Sequence, residues 1–368
     1  MANAPDPKPP SPPASLRRPG GSAAGFGSPE PMAALNRVEI AEQALPWPQR
    51  EPLVDIRTAC SSPFVDVAPR ACPFLRRTVA EMLLAARAAL PDGYGLRATT
   101  AMRTLAMQRA YWDGYFRQMK ADHPDWPLPA LRRATNRFFA PYDQKAPPGH
   151  CTGGAVDVHL LDAAGERLDV TSPLEGWKAA PTWTAGLSRE AKTNRMILVE
   201  AMLTAGFSNC RDEYWHYSYG DSAWAVRTGA ASCPYGWTYP PVAVVLNPET
   251  DRAVELPIEP ERDADGRPTH AGIAIAAAGS ADLDGWATVP GDPADEEGAW
   301  RIGVFWAAGV PLTLRLQGGA AISGVVSVTV DAFSEQSEPE TLEAGEHGER
   351  ILRITPAEDR IRLTLRTR

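Results

Sequence analysis

Two short stretches constrain this chain more than anything else in it: His150-Cys151-Thr152-Gly153-Gly154-Ala155-Val156-Asp157 and Glu213-Tyr214-Trp215-His216. Together they offer two imidazoles and a carboxylate as metal ligands, with one further carboxylate left over. A catalytic zinc site asks for such a set: three protein ligands, an open position for water and a base to take its proton. The stretches are well separated along the chain, so the fold has to converge two segments on one ion.

The pattern around them reads as helices mixed with a few strands. Apolar residues Phe74-Leu75, Val79, Met82-Leu83 and Ala86 recur at helical spacing up to Leu90, and Pro91-Asp92-Gly93 stops that helix. Residues 94–102 read as a strand ending at Arg103, and helices follow over 105–120 and 128–139. A proline-glycine turn, Ala146-Pro147-Pro148-Gly149, delivers His150, and residues 155–161 read as a buried strand. After a loop over 162–186, a helix spans 187–205 with Ser188 as N-cap and Gly206 as its stop. Residues 207–219 carry the second motif on a strand. The expected fold is α+β, a small mixed sheet with flanking helices carrying the zinc site, over residues 32–235. Residues 32–72 look like an irregular, proline-punctuated lead-in.

From about residue 240 the texture changes. Val326, Val328 and Val330 alternate with polar neighbours, as do Ile361, Leu363 and Leu365. Strand-like runs also sit at 242–247, 270–278, 299–307, 311–317 and 349–354, so residues 240–368 read as an all-β, sandwich-like accessory domain. His270 and His347 are isolated there and read as surface histidines. At the other end, residues 1–31 are rich in proline, alanine, glycine and serine and read as a disordered tail.

Composition narrows the partners. The net charge is −8 and the basic residues form no block longer than pairs, which argues against nucleic acid and anionic membrane. No apolar run is long enough to span a bilayer, and no export signal is visible, so a cytoplasmic location is expected. The five cysteines are odd in number and show no CxxC spacing, which fits a reducing compartment. Pairing of Cys60 with Cys72 under oxidant stays open.

Residue types alone leave the site with two readings, a metal centre or an ion-paired structural cluster. Charged groups among so many aromatic residues are costly unless paired or metal-bound. In a regular strand, residues three apart face opposite ways. Glu213 and His216 therefore converge only if Glu213 sits at a bend before the strand or the strand is bulged. His159 shares a face with Asp157 and is a rival ligand, while Cys151 is either a ligand, an oxidisable thiol or a bystander.

The pattern His150-x-x-Gly153-x-Ala155-x-Asp157 followed by Glu213-Tyr214-Trp215-His216-Tyr217 resembles the zinc D-alanyl-D-alanine dipeptidases of the VanX type and their D,D-carboxypeptidase relatives. Gly165-Glu166, Asn194-Arg195 and Met202-Leu203-Thr204-Ala205-Gly206-Phe207 continue the likeness over roughly residues 50–230. The resemblance implies one Zn2+ per chain, held by His150, Asp157 and His216. It implies Glu213 as general base and acid, Arg103 as the cation for the oxyanion, and Glu175 as the acidic residue receiving the substrate's ammonium. Two positions depart from the family pattern. Pro148 stands where a serine is common, and Thr100-Ala101-Met102-Arg103-Thr104 replaces Asp-x-Tyr-Arg-Pro.

The function so implied is zinc-dependent hydrolysis of D-Ala-D-Ala or a similar small dipeptide. Two alternatives stand beside it. One is a D,D-carboxypeptidase or endopeptidase acting on cell-wall peptides; the other is a catalytically silent binding protein.

Overall fold

The computed structural model describes residues 30–45, 49–60, 65–69, 71–247, 252–256, 272–277, 287–289, 299–317, 325–331, 342–344 and 349–367. Most of the expected tail, with His270 and His347, lies outside the described residues.

The lead-in is more ordered than its prolines suggest. It contains α1 (Met32–Leu35), β1 (Glu39–Ile40), a 3-10 turn (Ala41–Ala44), β2 (Leu53–Asp55), α2 (Ile56–Ala59) and β3 (Val65–Val67). Strands of two or three residues carry no readable alternation, so their partners define them. Next, β4 (Phe74–Arg76) precedes α3 (Arg77–Ala88). Pairing of β4 with β2, Leu53 opposite Arg76, takes the first three residues of the expected helix into a strand. Glu30, inside the expected tail, is ion-paired to Arg227 at 2.6 Å.

The remaining elements of this half are β5 (Gly95–Thr100), α4 (Leu105–Asp122), α5 (Leu128–Asn136), a 3-10 turn (Gly149–Thr152), β6 (Ala155–Leu161), α6 (Gly176–Ala179), α7 (Arg189–Thr204), β7 (Ser208–Asn209), β8 (His216–Ser218), α8 (Ser222–Thr228) and β9 (Ser232–Cys233). As read from sequence, Ser188 caps α7, its Oγ accepting from the Ala191 N–H at 3.0 Å. Gly206, at φ +97°, ends the turn that follows the helix.

A five-stranded mixed sheet, ordered β3-β5-β6-β8-β7, organises these elements. On one face Val156, Val158 and Leu160 of β6 pack with Leu83 of α3 and Leu198 and Met202 of α7. Alternation then turns Asp157 and His159 to the opposite face. The sheet thus has a packed side and a chemical side.

The C-terminal half comprises β10 (Val242–Asn247), β11 (Arg252–Leu256), β12 (Gly272–Ala277), β13 (Ala287–Val289), β14 (Ala299–Phe305), β15 (Leu312–Gln317), β16 (Val325–Asp331), β17 (Glu343–Ala344), β18 (Arg350–Ile354) and β19 (Arg360–Thr367). They form two five-stranded sheets, β11-β10-β14-β19-β16 and β13-β12-β15-β18-β17. Leu312, Leu314 and Leu316 of one sheet share an apolar core with Ile361, Leu363 and Leu365 of the other, the arrangement of a sandwich.

That core continues into the first half. Phe74, Met102, Leu105 and Trp237 belong to it, and Phe74 meets Phe305 edge-on at 5.8 Å. Thr104, fully buried, makes the link specific. Its Oγ1 donates to the Trp306 carbonyl at 3.0 Å and accepts the Met107 N–H at 3.1 Å, capping α4. Thr104→Val keeps the shape but removes the hydroxyl, losing the cap and orphaning a carbonyl. A loss of about 1–2 kcal/mol is expected in urea denaturation, with both halves still unfolding in one transition. Two separate transitions would show that the shared core does not couple them. Among the described residues no helix is long and apolar enough to cross a membrane.

Candidate active site

His150 reaches the chemical face from the 3-10 turn that follows Pro148. The turn is tied internally, Cys151 N–H to the Pro148 carbonyl at 2.8 Å and the Thr152 hydroxyl to the Gly149 carbonyl at 2.7 Å. Gly153 closes it at φ +70°, and an added Cβ there would stand 2.5 Å from Leu53 Cδ2. The left-handed conformation therefore favours glycine, and an added Cβ would also displace the Leu53 methyl. The His150 ring is aimed by its Nδ1, 2.7 Å from the Ala101 carbonyl, which leaves Nε2 for the site.

Asp157 comes from β6 and pairs across the ladder with His216 on β8 and with Thr100 on β5. The β5 register shifts between Ala98 and Thr100. That irregularity lies beside Asp157, at the point where the strand ends and Arg103 turns inward.

The three expected ligands converge. Asp157 Oδ1 is 3.3 Å from His150 Nε2 and 2.9 Å from His216 Nδ1. All three ligand atoms lie within 4.8 Å of one another. Donors bound at about 2.0–2.1 Å in a tetrahedral array stand about 3.3 Å apart, so the spacing suits one shared ion. Burial alone would raise the Asp157 carboxyl, but the two imidazoles hold it well below the usual carboxylate range. An anionic carboxylate between two imidazoles, almost sealed from water, is a donor set able to hold a divalent metal ion.

Glu213 is not on a strand. It occupies the turn between β7 and β8, its N–H donating to the Cys210 carbonyl at 3.3 Å and its carbonyl accepting the His216 N–H at 3.2 Å. Of the two alternatives open from sequence, a bend before the strand is the one realised. Burial raises the Glu213 carboxyl above its ordinary value, opposed by His216 and reinforced by the Asp157 charge. A half-buried carboxyl with raised proton affinity, outside the group of three, has the character of a proton carrier.

Arg103 joins from the other side, Nη2 3.6 Å from Asp157 Oδ2. Its N–H bonds the His150 carbonyl at 3.0 Å, Nη1 meets Gln108 Oε1 at 3.4 Å, and the guanidinium lies 5.6 Å from the Tyr111 ring centre. Its Nε is buried without a hydrogen-bond partner, leaving a donor aimed at nothing in the protein. Glu175 is exposed at the start of α6, where it makes no capping bond. It lines an open pocket of about 450 Å³ together with Trp177 and Trp215.

The rivals fall away. His159 lies one strand repeat from Asp157 and outside the converging group; burial and the nearby Arg167 push its pKa down to about 4. Cys151 is fully buried in the apolar core and outside the converging group, and burial pushes its thiol up to about 12. All five cysteines, Cys60 and Cys72 among them, are free thiols in this structure. Sequence reasoning missed Gln108, Tyr111 and the Ala101 carbonyl, the groups that hold Arg103 and His150. The two side chains, three residues apart on α4 and so on one helix face, gave a faint signal; the carbonyl gave none.

Known proteins resemble this chain over the region that carries the site. Residues 79–234 match the Peptidase_M15 family model, described as D-ala-D-ala dipeptidase. A D-alanyl-D-alanine dipeptidase of Synechocystis sp. is 27% identical over 220 residues, covering 53% of this chain and 84% of that protein.

Proposed function

For a chain whose residues 79–234 match the Peptidase_M15 family model, we propose zinc-dependent hydrolysis of D-Ala-D-Ala or a similar small dipeptide. The observation that carries the reading is the convergence of His150, Asp157 and His216, with Glu213 in the adjoining turn. His150, Asp157 and His216 hold the ion in this reading. Zinc, when bound, acidifies water and polarises a carbonyl. Glu213 takes the proton of the attacking water and returns it to the departing amine nitrogen. Arg103 offers its spare donors to the oxyanion that forms as the peptide carbon becomes tetrahedral; a guanidinium suits the task because it never loses its charge. Glu175 neutralises the ammonium of the substrate's free N-terminus.

The open pocket beside Trp215 supports a second reading, a D,D-carboxypeptidase or endopeptidase acting on cell-wall peptides. Purified protein assayed on free D-Ala-D-Ala and on a peptidoglycan stem peptide separates the two, since turnover of the stem peptide alone removes the dipeptidase assignment. Treatment with 1,10-phenanthroline is expected to abolish turnover, and added zinc to restore it. Protein that binds no zinc and cleaves neither substrate would leave only a silent binding role.

A further inference from the structure

An alanine side chain is one methyl group, and the cavity next to the catalytic turn is much larger than a methyl requires. It is open to solvent and measures about 450 Å³. Trp177 and Trp215 line it with Leu174, and their ring centres are 6.2 Å apart at 50°. Trp177 is 52% exposed, so much of its indole is open to a ligand.

The apolar surface does not stop at the pocket. Trp177 meets Phe138 at 4.4 Å, and ring contacts run on through Tyr115 and Phe139 to Tyr111, over which Arg103 sits. Arg103 in turn touches Asp157, and His216 follows Trp215 in the chain. The ligands do not line the pocket themselves; it reaches them through these ring contacts and through Trp215, the chain neighbour of His216.

We propose that this pocket receives the side chain of the residue on the N-terminal side of the scissile bond, and that this side chain is large, flat and apolar. The polarity of the pocket sets the direction. Glu175 lines the same wall as Trp177, with only Gly176 between them, and its carboxylate makes no bond to the helix it precedes. A substrate whose free ammonium meets Glu175 lays the side chain of that same residue against the neighbouring indoles. Aromatic faces then stack on it. The inference rests on the peptidase reading above and narrows it from alanine to an aromatic N-terminal residue.

The test compares kcat/KM for D-Phe-D-Ala and D-Ala-D-Ala in the wild type, Trp177→Ala and Trp177→Leu. The wild type is expected to favour D-Phe-D-Ala about tenfold or more, from the apolar area of the ring. Trp177→Ala should lower that ratio about tenfold, with Trp177→Leu between. Because the ratio does not depend on how much of a variant is folded, poor folding cannot imitate the result. A wild type that prefers D-Ala-D-Ala, or a ratio untouched by both substitutions, overturns the assignment while leaving the peptidase reading standing. Turnover of neither dipeptide takes down the dipeptidase reading, and this inference with it.

Discussion

Glu213→Gln is expected to lower kcat by a factor of about 10² to 10⁴ while zinc content stays at about one ion per chain. Glutamine matches the shape of the side chain but cannot accept a proton from water. Nothing else about the turn should change. The Cys210 and His216 contacts of residue 213 run through its own backbone, so His216 keeps its place. The substitution also exchanges a carboxyl whose charged form is disfavoured by burial for a neutral amide. Thermal stability should therefore hold or rise slightly. Steady-state kinetics with metal analysis and a melting curve on the same preparation check all three. Unchanged kcat would remove Glu213 from the chemistry, and loss of zinc with activity would make it a ligand instead.

How far the site was legible in sequence follows from what each residue depends on. Asp157 lies in a strand whose apolar run and bounding turns announce it, and β6 starts and stops where the pattern says. His150 follows a Pro-Pro-Gly turn and precedes two glycines, so its tight backbone was readable, but its aiming partner is the Ala101 carbonyl. A carbonyl belongs to every residue and leaves no mark. For Glu213 the sequence leaves a bend and a bulge as alternatives, because β7 has only two residues, too few for alternation to end visibly before the turn. The same limit hid α6, α8 and the short strands of the lead-in, which tertiary partners hold rather than local preference. In the second half the long alternating strands were evident, whereas β11, β13 and β17 were not. What no local pattern could reveal was the single apolar core that joins Met102 and Leu105 to the sandwich. Burial across elements far apart in the chain is a property of the fold.

Arg76→Met is expected to cost about 3–5 kcal/mol of stability and to weaken zinc binding as well. Arg76 is 1% exposed. Its Nη2 donates to Glu42 at 2.8 Å, its Nε to the Thr152 carbonyl at 2.8 Å and its Nη1 to the Glu51 carbonyl at 2.6 Å. One guanidinium thus ties the lead-in to the turn that carries His150. Burial lowers its proton affinity, and the Glu42 carboxylate paired with it at 2.8 Å opposes that. Methionine fills much of the volume but leaves Glu42 as a buried anion whose remaining donor is the Gly236 N–H. It also strips the Thr152 carbonyl of its partner, so the His150 turn loosens.

The charge is what should dominate, and a second substitution isolates it. In Arg76→Met with Glu42→Met no unpaired charge remains, and removing both members of a buried pair costs far less than removing one. The double variant is therefore expected to be more stable than Arg76→Met alone in urea denaturation. Its zinc affinity should nevertheless stay low, since the Thr152 carbonyl is still without its donor. Equal stability of the single and double variants would mean that water reaches Glu42 once Arg76 is gone. Full zinc affinity in both would mean that the His150 turn holds its shape without the clamp.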